Sequence, residues 1–419
     1  MSVALLEKKH TTIYTKVMVN APASKSYAQR AIAAALLASG RSVLFGVDPS
    51  DDTLAALDVA RRLGAKISNE GSTYYIDGGF DPQSNEISIG ESGLSTRLFT
   101  PIAALARQPI TITGHSSILR RPMDMMIEPL QSLGVQVDSH NGFLPLTVHG
   151  PMLGAQGVRV DGSISSQFLT GLLTALPLVD GDTTLLVNDL QSRPYIDITL
   201  DVLHQFGIKI SHEAYKTFHI AGNQRYTPTQ YTIEGDWSGA SCFLVLRAIA
   251  HGDFIIGNLN PQSVQADRAI ERAIVMAGDE LRGFTFDARD CPDLFPALVA
   301  LASHCRGVSQ IIGTKRLTHK ESDRAVTLRD EFEKLGIQID ISQPDIMIVH
   351  GQTREGWAER SSHEEIVIDA HGDHRIAMAT AVAAWDCPNV AVEPRTAVNK
   401  SYPAFWHDFD ILRAELRRR

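Results

Sequence analysis

The 419-residue sequence predicts an α/β protein of two domains, each built from three copies of a unit of about 70 residues. Three observations predict it. The chain is longer than one hydrophobic core usually serves. An apolar helix-then-strand segment recurs six times, and a second, amphipathic kind of helix alternates with it. Hydrophobic residues make up 44% and charged residues 21%, which places the chain with ordinary globular proteins rather than disordered or fibrous ones.

The apolar segments run over 31–45, 100–113, 169–187, 241–257, 295–312 and 376–393. Each is rich in small residues, breaks at a Gly or Pro, and continues into a β-prone run, as in AIAAALLASGRSVLF. Helices so apolar are expected to be buried, with the break stopping the helix before a strand. The amphipathic segments run over 52–67, 123–137, 197–210 and 325–339. Their apolar residues recur three and four apart, and a Gly follows the helix. Residues 268–278 form a looser copy, and 405–416 a last one. Six units divide simply into three and three, with buried helices surrounded by sheets and outer helices. Polar stretches near 15–20 and 226–235 are the expected crossings. One domain then spans 19–235, and a discontinuous second comprises 1–18 and 236–419, joined through a two-strand hinge.

A net charge of −9 argues against a nucleic-acid partner, yet leaves room for a local basic cluster that holds small anions. Cys242, Cys291, Cys305 and Cys387 are scattered without metal-ligand spacing, so buried reduced thiols and no metal are expected. The opening MSVALLEKKHTTIY lacks the long apolar core of a secretory signal, and apolar stretches such as 376–385 are too short to span a bilayer. A cytoplasmic protein without a membrane partner is expected.

The residues before each apolar segment carry the chemistry. They read SKSYAQR (24–30), ESGLSTR (91–97), SISSQ (163–167), DWSGAS (236–241), DCPD (290–293) and GDHR (372–375). A helix N-terminus presents unpaired N–H groups and partial positive charge, and so suits phosphate or carboxylate. Ser, Thr, Asp and Gly there are also ordinary caps. Capping does not require Lys25, Arg30, Gln167, His374 or Arg375. Two more basic clusters stand at other helix starts: THKESDR (318–324), with Lys320 and Arg324 on one helix face beside Glu321, and Arg120 with Arg121 before Pro122. Asp293 and Asp373 read on their own as caps, and His319 as a surface residue.

These motifs, in this order from about residue 22 to 405, resemble the enolpyruvyl transferases, in particular the branch that acts on shikimate 3-phosphate. The resemblance implies a two-domain fold whose buried-helix N-termini face one another across a cleft. It implies shikimate 3-phosphate and phosphoenolpyruvate as ligands, no cofactor, and a monomer. SKSYAQR is similar to the stretch whose Lys25, Ser26 and Arg30 touch the substrates. DGSISSQFLT implies Ser165 and Ser166 on the acceptor phosphate and Gln167 near both substrates. SRPYIDITL implies Ser192 on phosphate and Tyr195 on the pocket wall, and HKESDR implies Lys320 beside the acceptor. Gly93, Arg121, Arg324, His374, Arg375 and Lys400 are implied around phosphoenolpyruvate, with Lys25 and Gln167. Asp293, Glu321 and Lys25 are implied as the proton-moving groups, Asp293 as general base. Closing the cleft would gather seven cations, Lys25, Arg30, Arg121, Lys320, Arg324, Arg375 and Lys400, around two anions.

Four positions depart from the family's usual pattern. Glu91 and Leu94 replace Asn and Thr in the GESGL stretch, Arg316 stands where many members have Asn, and Gln29 replaces another Asn. The sister transferase acting on UDP-N-acetylglucosamine usually carries a cysteine in the stretch that here reads GHSSILRRPM, which has none. An RNA 3′-phosphate cyclase would need a basic surface. A non-catalytic anion-binding paralogue would have lost Lys25, Asp293 or Glu321, and all three are present. A branched apolar Leu94 beside Gly93 is expected to crowd glyphosate more than phosphoenolpyruvate. Inhibition curves for the natural protein and Leu94→Thr are expected to show the variant as the more sensitive; equal curves would end that idea.

Overall fold

The computed structural model describes residues 16–163, 165–318, 320–360 and 364–418. The opening stretch read for a signal and His319 lie outside the described residues. Six buried helices form the framework: α1 (Lys25–Leu37), α2 (Gly93–Ala103), α3 (Gln167–Ala175), α4 (Trp237–Ile249), α5 (Phe295–Ser303) and α6 (His374–Ala383). Most begin earlier than the apolar segments suggested, by seven residues at α2. The reason is that Gln29, Arg30, Ser95, Thr96 and Arg97 are polar yet buried, so a reading that follows apolar runs passes over them. The motifs expected just before the helices therefore lie largely in their first turns.

Around these helices, four four-stranded sheets of one topology are found among the described residues. In one, Glu86–Ser88 runs parallel to Ile110–Thr113, which pairs antiparallel with Phe143–His149, itself paired with Gln136–His140. The same order recurs for Val158–Asp161, Thr183–Asn188, Thr217–Ile220 and Ile210–Glu213. It recurs again for Thr285–Asp287, Val308–Ile312, Ile346–His350 and Gln338–Asp340. Two other sheets are a single parallel pair among the described residues, Met18–Asn20 with Ile255–Gly257 and Ile366–Asp369 with Val390–Glu393. Outer helices Asp51–Arg62, Arg193–Gln205 and Arg324–Lys334 cover the buried ones, each with a row of apolar residues turned inward.

The apolar side chains fall into two clusters, one gathering Ala23 to Ile233 and the other Val19 with Trp237 to Leu416. Each half takes a strand from across the crossing. Gln230–Thr232 pairs with Gly40–Phe45 to complete the first sheet, while Met18–Asn20 joins the second half. Val19 thus packs with the second half, slightly past the expected boundary at 18/19. The two crossing segments lie side by side: Ser24 N donates to the Glu234 carbonyl and Asp236 N to the Pro22 carbonyl, both at 2.8 Å. Among the described residues, no helix is long and apolar enough to cross a membrane.

The repeated topology carries a repeated close approach. At the end of the strand Thr73–Gly78, a Cβ on Gly78 would lie 2.0 Å from the Ala35 carbonyl oxygen, at the end of α1. Gly351 stands in the same relation to α5, 2.0 Å from the Cys305 carbonyl oxygen. Backbone cannot yield as a flexible side chain can, so Gly78→Ala and Gly351→Ala are each expected to cost about 2–4 kcal/mol. Gly71→Ala, at φ +58 with nothing within 4 Å of its Cβ, is expected to cost only about 1 kcal/mol. Unfolding midpoints of the three variants check the contrast.

Candidate active site

The first turns of the buried helices from both halves meet around a cavity of about 440 Å³. Lys25, Ser26 and Arg30 reach it from α1, Gly93 and Arg97 from α2, and Ser165, Ser166 and Gln167 from the start of α3. Ser192 and Tyr195 line it from the head of the helix Arg193–Gln205, and Arg121 from the segment after a 3-10 turn. Facing them from the second half are Asp293, Arg316, Lys320, Glu321 and Arg375. Fourteen of the seventeen residues expected at the site thus line one cavity. Arg324, His374 and Lys400 sit behind or beside it.

Arg324 is a buried hub, 1% exposed. Its Nε donates to Asp373 Oδ2 at 2.8 Å, Nη1 to Asp293 Oδ1 at 2.8 Å and Nη2 to Glu321 Oε2 at 2.5 Å. Asp373 also caps α6 by accepting from Arg375 N at 3.0 Å. Asp293, in contrast, makes no capping hydrogen bond among the described residues. It lies in the 3-10 turn Pro292–Leu294 before α5 and takes Lys320 at 3.1 Å and Arg375 at 3.3 Å besides Arg324. Burial alone would raise its pKa, but Arg375, Lys320 and Arg324 hold it well below the usual carboxylate range. Glu321 is partly buried; burial would raise it, but Arg324 and Arg121 hold it well below its ordinary value. Lys320 and Glu321 are not on a helix, as their spacing suggested, but in the turn before Arg324–Lys334.

The first-half wall is different. Arg30 serves as a strut, donating to the Ser26 carbonyl at 2.8 Å and to Thr199 Oγ1 at 2.9 Å, and burial lowers it to about 10. Burial opposes the Lys25 ammonium, yet Asp52 at 2.9 Å and Glu321 raise it above the usual lysine value. Gly93 makes room for two guanidinium groups: its Cβ would lie 2.7 Å from Arg121 Nη1 and 3.1 Å from Arg97 Nη1. Among the described residues, Arg97 Nε, Arg121 Nε and Nη2, and Arg375 Nε are buried donors without a hydrogen-bond partner. Buried cationic donors left this way favour an incoming anion. Arg120, beside Arg121 in the sequence, is exposed on the surface.

His374 is buried, and both ring nitrogens lack a hydrogen-bond partner among the described residues. Burial, then Arg375 and Lys25, hold it well below the ordinary histidine pKa, so it is neutral. Lys400 donates to Glu91 Oε2 at 3.0 Å and to the Gly372 carbonyl at 2.8 Å. Glu91, the departure from Asn, also accepts from Ser117 Oγ at 2.9 Å. This pair ties the two halves together, as do Tyr195 with Asp267 at 3.3 Å and Arg121 with Glu321 at 3.5 Å.

Sequence reasoning missed Asp52, Arg97 and Asp267. Arg97 carries a signal, since ESGLSTR and SKSYAQR both end in arginine. Asp267 carries none, as it stands in a short 3-10 turn without a motif. Among the described residues, no group of three or more His, Cys, Asp or Glu could hold a metal ion.

A cavity between two halves, walled by partly buried carboxylates on one side and by guanidinium groups with spare N–H donors on the other, suits an enzyme joining two anionic substrates. The chain belongs to the EPSP synthase family, the 3-phosphoshikimate 1-carboxyvinyltransferases, whose model matches residues 11–409. It is 35% identical to the 3-phosphoshikimate 1-carboxyvinyltransferase of Clostridium kluyveri, with 95% of each chain covered. It is also 35% identical to that of Methanococcoides burtonii, with 94% of each covered. The fold is shared with an EPSP synthase structure from Acinetobacter baumannii, at a TM-score of 0.75 and 23% identity, over 94% of this chain and 95% of that one. The protein is therefore a transferase of the shikimate pathway, and membership implies shikimate 3-phosphate and phosphoenolpyruvate as its substrates.

Asp267 gives the site a pH signature. It is 4% exposed, and burial with the neighbouring Asp293 pushes it up to about 6. The folded state then holds a proton that the unfolded state has lost, so stability falls as pH rises from about 4 to about 6. Asp267→Asn, which can still accept from Tyr195, is expected to be more stable than the natural protein at pH 7 by about 1–3 kcal/mol. Below pH 4 that gain is expected to vanish. Denaturant unfolding at both pH values checks it.

Proposed function

We propose that the cavity between the halves is where the enolpyruvyl group of phosphoenolpyruvate passes to the 5-hydroxyl of shikimate 3-phosphate. The carrying observation is the meeting, in one cavity, of Asp293 and Glu321 from one half with Lys25, Arg97 and Arg121 from the other. Ser165, Ser166 and Ser192 offer hydroxyls to the acceptor phosphate. The pair of guanidinium groups at Gly93, with Arg375 opposite, suits the carboxylate and phosphate of the donor, because a planar fork binds two oxygens together.

In the first step the acceptor oxygen bonds to C2 of phosphoenolpyruvate while the C2–C3 π pair takes a proton. The hydroxyl proton passes to Asp293, which is ionised and therefore able to accept it. Lys25 and Glu321, both within the cavity, are the groups that deliver the proton to C3 and remove one in the second step. There the C2–O bond to phosphate breaks, the double bond re-forms and phosphate leaves. Lys320, Arg324 and Arg375 surround Asp293 and would release part of their hold as it becomes neutral.

The two apolar clusters support two domains joined by the paired crossing segments, with ligands held at the joint. A cytoplasmic monomer completes the reading, and the four buried free thiols accord with a reducing compartment.

Phosphate release from phosphoenolpyruvate tests it, with shikimate 3-phosphate or UDP-N-acetylglucosamine as acceptor. Release is expected with the former alone. Asp293→Asn is expected to lower kcat about 10²–10⁴-fold, the range of a lost general base, with a smaller change in KM. Undiminished turnover in that variant would remove Asp293 from the role.

A further inference from the structure

Glu91 stands where the family usually has Asn, and of the ion pairs named above between the halves it makes the shorter one. Its Oε2 takes Lys400 Nζ at 3.0 Å, against 3.5 Å for Arg121 with Glu321. Both residues stand beside the cavity rather than in its wall. Lys400, implied by the resemblance around phosphoenolpyruvate, is here turned to a carboxylate of the opposite half.

Each partner is anchored in its own half. Glu91 Oε2 also accepts from Ser117 Oγ at 2.9 Å and from Ser117 N at 3.2 Å. Ser117 is buried, in the 3-10 turn Ser116–Arg120 that leads to Arg121. On its other side Glu91 precedes Ser92, the cap of α2, and Gly93. In the second half, Lys400 ends the 3-10 turn Arg395–Lys400, and its Nζ donates to the Gly372 carbonyl at 2.8 Å. Gly372, at φ +66, lies just before the head of α6. The contact therefore joins the start of α2 to the start of α6, which bring Gly93 and Arg375 to the cavity.

Exposed ion pairs add little, because two long side chains must be ordered to make them. Here Ser117 and Gly372 already supply much of that ordering, and the two side chains are only 19% and 13% exposed. Burial would raise the Glu91 pKa, but Lys400 and Ser117 bring it below its ordinary value. An Asn at this position would bring neither the charge nor the reach. The pair exists only while the halves are together, so it favours the closed arrangement over an open one. An acceptor read as touching serines of the first half and Asp293 of the second binds the closed form better. Its apparent affinity then scales with the closed fraction.

We propose that Glu91 is a positioning residue: through Lys400 it holds the halves together before either substrate arrives, and so presets the cavity for both. This rests on the acceptor reading given above. Glu91 itself touches neither substrate. Opening the cleft breaks the pair, and losing the pair raises KM for both substrates, while kcat, read with the cleft filled, changes less.

The test is a double-mutant cycle of Glu91→Gln, Lys400→Met and the double variant, read by calorimetric binding of shikimate 3-phosphate with no phosphoenolpyruvate present. Glu91→Gln keeps the length and an acceptor for Ser117 but not the charge. Each single variant is expected to weaken acceptor binding about 3–10-fold, and the double variant no more than either single one. Kinetics of Glu91→Gln are expected to show KM raised by a similar factor for both substrates. Small-angle scattering of the ligand-free proteins is expected to show Glu91→Gln as more extended than the natural protein. Losses that multiply in the double variant would overturn the proposal. Equal scattering curves, or unchanged acceptor binding in Glu91→Gln with its unfolding midpoint intact, would do the same. So would a KM raised for phosphoenolpyruvate alone, which would leave Lys400 a donor ligand without a closing role. A natural protein that does not bind shikimate 3-phosphate would instead overturn the acceptor reading, and the scattering comparison would then decide the role of Glu91 by itself.

Discussion

The geometry of the cleft depends on one fully buried guanidinium. Arg324 joins Asp293 before α5, Glu321 in its own turn and Asp373 at the head of α6. An arginine so enclosed is tolerable only with such partners, since an unpaired buried charge costs several kcal/mol or more. The ion pairs need not add net stability. What they do is fix positions: Asp293 cannot move without exposing Arg324 to loss of a partner, and removing one partner of a buried pair costs about 3–5 kcal/mol. The residue read as general base is thus held in place from behind, by a cation that does not itself reach the cavity.

That arrangement changes the expected electrostatics of closure. The cations implied around the cleft looked, as a list, like a self-repelling cluster that only ligands could draw together. In the structure carboxylates are interleaved with them. Lys25 rests on Asp52, Lys400 on Glu91, and Lys320, Arg324 and Arg375 on Asp293. Contacts such as Glu91 with Lys400, Arg121 with Glu321 and Tyr195 with Asp267 already span the halves. The repulsion left to be offset by ligands is concentrated at Arg97 and Arg121 near Gly93, and burial with Arg121 alongside lowers Arg97 to about 9. Buried N–H donors without a hydrogen-bond partner are thus gathered at Arg97 and Arg121, and anion attraction is strong in that corner of the cavity.

The sequence made most of the framework legible because its signals are periodic. Buried and outer helices alternate with two distinct patterns, and each glycine stop is a local event, as at Gly64 and Gly336 with positive φ. Illegible were features that depend on distant residues. The helix starts were placed too late because Arg30 and Arg97 are polar where an apolar run was sought, and only packing against other helices makes them interior. Met18–Asn20 crosses to the second half because it pairs with Ile255–Gly257, a contact no local pattern announces. The site itself was legible through motifs, which located fourteen of its lining residues. Asp267 was not, since an isolated acid in a turn becomes notable only when Tyr195 arrives from the other half.

The repeated unit explains why one site can be so densely furnished. Buried helices such as α1 and α5 end in a close approach to a strand-end glycine, Gly78 and Gly351, and their opposite ends face the cleft. The heads of six buried helices thus bring residues to one cavity. Ser92, Asp236 and Asp373 cap their helices through the side chain, whereas the equivalent turn of α5 gives its acid, Asp293, to the cavity instead. An acid that is not spent on capping retains its lone pairs for lysine, arginine and a substrate proton. The difference between a structural cap and the general base proposed above is a shift of register at the head of one helix: α5 is preceded by a 3-10 turn begun by Pro292, and Asp293 within that turn bonds to Lys320.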